Sequence, residues 1–375
     1  MTEKKKIALV HYWLTGMRGG EKVVESICNV YPEIDIFTLV YNKDKISDKI
    51  NSHKITTSFI QKMPFGKKKY RSYLPLMPVA IEQFDLSGYD IVISSESGIA
   101  KGVITQPETC HVCYVHTPMR YLWNMYFDYL KDERPGFLKK NFIRYYFNYL
   151  RLWDFSSASR VNYFMCNSDN VRKRILKYYN REAEVIYPPV DVDRFRYTEN
   201  KEDYYLIVSQ LVSYKKVDLA IEAFNELGSR LVIVGEGPEM GRLKKLAKGN
   251  IEFAGWQSSD SLVDYYANAK AFVFPGEEDF GITPVEAQAS GTPVIGFGKG
   301  GLTETVIDKK TGILFKKQTK EELAAAVKHF EENPQLFVPS EIRENSLRFS
   351  RDNFESRLKN FVDRKYEHYK SVYLQ

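Results

Sequence analysis

The sequence predicts an α/β chain in two domains, and three observations carry that prediction. Its 375 residues exceed one ordinary domain of about 100–200 residues. Short apolar runs alternate with amphipathic segments through both halves, as strands and covering helices do in an α/β sheet. Runs such as Leu231-Val232-Ile233-Val234 are apolar at every position, which suits parallel strands covered on both faces. With 43% hydrophobic and 27% charged residues, disordered and collagen-like classes are excluded.

In chain order, the strand candidates of the first half are Ile7–Val10, Ile34–Thr38, Asp90–Ile93, His111–Val115 and Asn162–Cys166. The first follows Lys4-Lys5-Lys6 and is broken at once by His11. A signal peptide would need about 7–15 apolar residues and a small-residue cleavage site, and a membrane-spanning helix about 20 apolar residues. The sequence shows neither pattern, so the chain is expected to stay in the cytoplasm. Cys110-His111-Val112-Cys113 has ligand-like spacing, but it lies in a β-prone run and no second pair follows. With Cys28 and Cys166, these cysteines are read as small buried hydrophobes, and no metal site is expected.

Between Lys131 and Arg181 twelve Lys/Arg stand against four Asp/Glu, a net +8 that exceeds the +6 of the whole chain. Within it Leu138, Phe142, Tyr145, Tyr149 and Leu152 recur at helical spacing, with Lys140, Arg144 and Arg151 on the other side. Such a helix lies on an anionic membrane surface, or packs on the sheet with a solvated basic face; both readings stay open. No nucleic-acid partner is expected, because no reader module accompanies the charge.

Tyr187-Pro188-Pro189-Val190-Asp191 continues neither helix nor central strand, since both prolines lack an amide donor. The domain junction is placed there, dividing the chain into residues 1–186 and 187–350 with a helical tail of about 351–375. The second half offers strands at Tyr204–Val208, Arg230–Val234, Ile251–Ala254, Ala271–Phe274, Pro293–Ile295 and Ile313–Phe315. Val234-Gly235-Glu236-Gly237-Pro238, with Gly241, forms a loose glycine fingerprint. It sits on the second strand of its domain, so a nicotinamide role is not expected.

The strongest local pattern is Gly276-Glu277-Glu278-Asp279-Phe280-Gly281-Ile282-Thr283-Pro284-Val285-Glu286, between a strand and a helix. Thr283, Pro284 and Glu286 fit Ncap, N1 and N3, so a capping box would account for Glu286. It would not account for Glu278 or Phe280-Gly281. A glycine loop at a helix start offers free amides and the positive dipole end to a diphosphate.

Glu278 and Glu286 match the E-x7-E motif of the retaining nucleotide-sugar glycosyltransferases of family four. Ala287-Gln288-Ala289-Ser290-Gly291-Thr292-Pro293-Val294-Ile295 and Gly300-Gly301 resemble that family's donor-binding half. Arg18-Gly19-Gly20-Glu21, His116-Thr117-Pro118-Met119-Arg120-Tyr121 and Tyr187-Pro188-Pro189-Val190-Asp191 resemble its mannosyltransferases of O-antigen and other surface-polysaccharide pathways.

That resemblance implies the GT-B fold, with two Rossmann-like domains facing across a cleft and the tail helix crossing back to the first. It implies catalytic roles for His116, Lys215 and Glu278. Donor binding falls to Gly19, Gly20, Gln210, Lys216, Phe280, Gly281, Ile282, Thr283 and Glu286. Gly19 and Gly20 would let backbone amides approach the donor phosphates. His116 would meet the donor sugar, and Lys215 or Lys216 would neutralise the leaving diphosphate. The family's arginine position appears as Gln210, one cation fewer. No cofactor and no metal are implied, the donor is GDP-mannose or another nucleotide sugar, and the acceptor a lipid-linked oligosaccharide at the inner face of the plasma membrane. Three rivals stay open: a UDP-sugar hexosyl or N-acetylhexosaminyl transferase, a nucleotide-sugar epimerase, and a non-catalytic assembly partner that kept the fold.

Overall fold

The computed structural model describes residues 5–127, 130 and 137–374, with the backbone alone for residues 137–140. The chain divides into two compact units, one running to Pro189 and resuming at Phe354, the other Val190–Asn353.

The first unit is built on seven parallel strands: β1 (Ile7–His11), β2 (Asp35–Thr38), β3 (Ile55–Thr57), β4 (Ile91–Glu96), β5 (Cys110–Val115), β6 (Tyr163–Cys166) and β7 (Ala183–Val185). Their spatial order is β3-β2-β1-β4-β5-β6-β7, so the order reverses between β1 and β4. In this register His11 lies opposite Ser95. The edge strands β3 and β7 were not evident in the sequence. Each is three half-buried residues carrying polar side chains, Thr56, Thr57 and Glu184 among them, with no continuous apolar run to mark it. One face of this sheet is covered by the helix Gly19–Val30 through Val23, Val24 and Ile27. Into the same core the helix Arg351–Tyr373 lays Phe354, Leu358, Phe361, Val362, Tyr366 and Tyr369, spaced along a single stripe.

The other face receives the helix Phe137–Ala158. Phe147 and Leu150 are buried, whereas Phe142, Tyr145, Tyr149 and Leu152 point outward, with Tyr145 77% and Phe142 63% exposed. The stripe is thus the outer one, not the face that packs on the sheet. Core attachment rests partly on charge instead. Asp154 forms an ion pair with the fully buried Lys101 and accepts hydrogen bonds from Trp123 Nε1 at 2.7 Å and Tyr179 Oη at 3.0 Å. Removing one partner from such a buried cluster costs far more than the pair itself contributes. The side chains of Leu138, Lys139 and Lys140 lie outside the described residues.

The second unit has six parallel strands: β8 (Tyr205–Val208), β9 (Leu231–Val234), β10 (Ile251–Gly255), β11 (Ala271–Phe274), β12 (Val294–Phe297) and β13 (Gly312–Phe315). Their order, β10-β9-β8-β11-β12-β13, repeats the reversal, now between β8 and β11. The loose glycine fingerprint is consumed by backbone packing. A Cβ at Gly235 would lie 1.9 Å from the Ser209 carbonyl oxygen, and one at Gly237 2.2 Å from that of Leu211. All four cysteines are buried thiols, and burial pushes the Cys110 thiol up to about 12.

Candidate functional site

Open parallel sheets bind ligands beyond the carboxyl ends of their strands, where the strand order reverses. Both units place their sequence-predicted residues at such a point.

In the second unit the chain leaves β8 through Ser209 and Gln210, whose side chain is exposed, and makes a tight turn at Ser213–Lys215. Lys216 takes a left-handed conformation at φ 56° and caps the helix Val217–Leu227 with its backbone, leaving its side chain exposed. Lys215, one residue earlier, forms an ion pair with Glu278, and both side chains keep about a fifth of their surface in solvent, 21% and 22%. Of the two lysines, only Lys215 is brought to the motif carboxylate among the described contacts. The Glu278 carbonyl is held by the Gly301 amide at 2.8 Å.

The loop beyond β11 enters the helix Ile282–Ala289 at Gly281, whose φ of 87° a side-chain-bearing residue rarely adopts. This corrects the capping-box expectation. The helix begins two residues before Pro284, Gly281 rather than Thr283 is the Ncap, and no side chain caps the helix. A glycine in the left-handed region turns the chain earlier than a Thr Ncap would. Pro284 then falls in the first turn, where its missing amide costs no intrahelical bond. Glu286 lies too far along to reach back, and instead accepts a hydrogen bond from Tyr266 Oη at 3.0 Å. Phe280 is buried edge-on against Phe349, at 5.4 Å between ring centroids. Ile282 and Thr283 occupy the uncapped first turn, half-buried. Within one unit, Glu278, paired with Lys215, thus lies just ahead of an open helix N-terminus, and Glu286 lies inside that helix.

In the first unit Gly19 and Gly20 open the helix that follows β1, and Arg18 is its Ncap. A Cβ at Gly20 would lie 2.7 Å from Tyr12 Oη and 3.4 Å from His11 Cε1, so the helix start rests directly on the end of β1. His116, just past β5, contacts Ser95 Oγ through Nε2 at 2.8 Å, and Ser95 Oγ lies 3.1 Å from His11 Nδ1. Burial, and then the neighbouring His11, pushes the His116 imidazole down to about 3, although the ring keeps some solvent contact. It is therefore neutral at physiological pH and serves as a hydrogen-bonding group rather than a cation. Sequence reasoning missed Ser95 and the part played by His11. The available signal was a polar residue at the end of each of two adjacent, otherwise apolar strands.

Among the described residues, no three His, Cys, Asp or Glu side chains gather into a metal-ligand cluster, and no helix is long and apolar enough to cross a membrane.

Comparison with known proteins follows the same division. Residues 18–194 match the family model described as Glycosyltransferase Family 4, and residues 190–348 match Glycosyl transferases group 1. A GDP-mannose-dependent alpha-(1-6)-phosphatidylinositol monomannoside mannosyltransferase of Mycobacterium tuberculosis is 31% identical over 43% of this chain and 50% of its own. The O-antigen chain mannosyltransferase RfbU of Salmonella typhimurium is 29% identical over 49% of this chain and 55% of its own. The chain thus spans about half the length of the curated relatives it matches. Among solved structures, Anabaena HepE in complex with UDP and glucose superposes with a TM-score of 0.68 at 15% identity, covering 96% of this chain and 100% of that one. The lipopolysaccharide outer core galactosyltransferase WaaB gives 0.69 at 16%, covering 96% and 99%. Two parallel sheets of this topology and the whole-length structural likeness give the GT-B fold, and the two family matches, together spanning residues 18–348, place the chain among the family-four glycosyltransferases.

Proposed function

We propose that the protein transfers a hexose from a nucleotide sugar with retention, the donor being GDP-mannose and the acceptor a lipid-linked oligosaccharide of an O-antigen-like surface polysaccharide. The observation that carries this reading is Lys215 held against Glu278 beside the uncapped N-terminus of the helix Ile282–Ala289. A cation and a positive helix end oriented in advance stabilise a departing diphosphate without solvent rearrangement. In the proposed step an acceptor hydroxyl oxygen bonds to C1 on the face from which the C1–O bond to diphosphate breaks, and the hydroxyl proton passes to the departing phosphate oxygen. Mannose is supported by the names of the mycobacterial and Salmonella relatives, both mannosyltransferases. A UDP-hexose is the second reading, favoured by the neighbour that holds UDP and glucose.

No divalent metal is proposed to take part, its place being taken by Lys215 and the helix N-terminus. Hydrolysis and transfer assayed across GDP- and UDP-sugars, with and without lipid-linked acceptor and in excess chelator, test all of this. GDP-mannose should be turned over fastest and chelator should change nothing. A UDP-sugar turned over faster would replace the donor, and activity lost to chelator but restored by magnesium would overturn the metal-free step.

The outward stripe Phe142, Tyr145, Tyr149 and Leu152, with exposed Arg144 beside it, is proposed to dock on the anionic inner face of the plasma membrane. Arg151 is not free for this task. It donates to the Leu122 carbonyl at 2.9 Å and stacks over Tyr126 at 5.1 Å. Arg144→Glu with Tyr145→Ser and Leu152→Ser should weaken binding to anionic vesicles at least about tenfold, since one basic group near the surface contributes about 1 kcal/mol before any apolar insertion. Binding unchanged in that variant would remove the membrane from the reading.

A further inference from the structure

Beneath His116 runs a row of buried polar groups that the proposed transfer does not use. It begins at Glu21, in the first turn of the helix Gly19–Val30, where one carboxylate oxygen accepts the Arg18 amide at 3.0 Å. The other oxygen lies 3.9 Å from His11 Nε2, a buried atom with no hydrogen-bond partner. His11 Nδ1 meets Ser95 Oγ at 3.1 Å, and Ser95 Oγ meets His116 Nε2 at 2.8 Å. His11, Glu21 and Ser95 are all buried, and His116 Nδ1 makes no hydrogen bond with the described residues.

A hydroxyl has one proton. Ser95 therefore donates to one histidine and accepts from the other, and the two rings are locked into complementary tautomers. Two ladders satisfy this count, and Glu21 selects between them. A lone pair on His11 Nε2 facing a buried carboxylate would be repelled, whereas an N–H there is attracted, strongly so in a low-dielectric interior. With the proton on His11 Nε2, Nδ1 accepts from the Ser95 hydroxyl. Ser95 Oγ in turn accepts from His116 Nε2–H, leaving His116 Nδ1 unprotonated.

We infer that Glu21, His11 and Ser95 act as positioning residues that fix the tautomer of His116, so that its Nδ1 presents a lone pair to a hydroxyl of the bound sugar. That the ligand is a sugar rests on the proposed function; the tautomer does not.

The test is ¹⁵N NMR of histidine-labelled full-length protein without ligand, with thermal unfolding read on every variant. Wild type should show an unprotonated His116 Nδ1. In Glu21→Gln the amide oxygen keeps the Arg18 contact and the NH₂ group faces His11 Nε2, which must then accept. The ladder inverts, and His116 Nδ1 should become protonated. Glu21→Asp retains the carboxylate and should keep the wild-type tautomer. Ser95→Ala removes the connecting oxygen and should give a tautomer mixture, which decides the matter should Glu21→Gln fail to fold. Transfer by Glu21→Gln should fall about three- to tenfold in kcat/KM, the range of one neutral hydrogen bond. A protonated Nδ1 in wild type, or a tautomer that ignores both Glu21→Gln and Ser95→Ala, overturns the inference and leaves the donor reading untouched. A vanished sugar activity with the ladder intact does the reverse.

Discussion

Lys215→Ala is expected to lower sugar transfer about 10²–10³-fold while the second unit keeps its fold, the scale seen when one group aimed at developing charge is removed. Lys215 is placed by backbone rather than by its own packing: a tight turn after β8 ends on it, and its partner Glu278 is tethered through the Gly301 amide. Its ion pair with Glu278 retains solvent contact on both sides, so its loss costs at most about 1 kcal/mol of stability. Turnover and folding should therefore separate. Steady-state rates beside thermal unfolding of the same preparation read both, and the loss should sit in kcat, because the diphosphate gains charge as the sugar bond breaks. Lys215→Arg should recover part of the rate. A Lys215→Ala protein that transfers sugar at the wild-type rate would remove the lysine from the chemistry.

Gly235→Ala is expected to cost about 2–5 kcal/mol of stability in the second unit, through steric overlap and backbone strain together. Gly235 sits at φ 131°, and the added Cβ would stand 1.9 Å from the Ser209 carbonyl oxygen. That carbonyl belongs to the segment leaving β8 toward Lys215, and it cannot retreat alone, since the Ser209 amide is bonded to the Val234 carbonyl at 3.0 Å. Gly241 supplies the contrast. It lies in the helix Met240–Leu246 with nothing within 4 Å of its would-be Cβ. Gly241→Ala should be neutral or stabilising by up to about 1 kcal/mol. Denaturant unfolding of both variants measures the difference; similar values would mean that the close approach at Gly235 carries no weight.

The strands were legible in the sequence wherever both faces of the sheet are covered, because burial on two sides leaves an uninterrupted apolar run such as Leu231–Val234. They were illegible at the two edges of the first sheet, where β3 and β7 are short and carry polar residues, whereas the edge strands β10 and β13 of the second sheet were read. The aromatic stripe of the helix Phe137–Ala158 was read to the correct period, with its side left open. Periodicity says which residues share a face, not what covers it, and here Asp154 anchors the inner side by charge. At the proposed diphosphate site the motif was visible, but the helix start was misplaced by two residues, because a glycine in the left-handed region outranks a threonine cap and sequence shows only that both are present. Of the His11–Ser95–His116 row, only His116 was read from the sequence. Its members lie on β1, on β4 and just past β5, and their adjacency exists only once those strands have paired in register.

The helix Arg351–Tyr373 has a consequence for synthesis. Phe354, Leu358, Phe361 and Tyr366 complete a core whose other members, Leu9, Val24 and Tyr114 among them, leave the ribosome long before. The entire second unit is translated in between. Until the final segment emerges, the nascent first unit carries an uncovered apolar face, the condition in which chaperones bind and aggregation begins. The second unit, contiguous in the chain, has no such wait. A chain cut just before Arg351 would thus damage the half made first, although the second half is the one next to the cut.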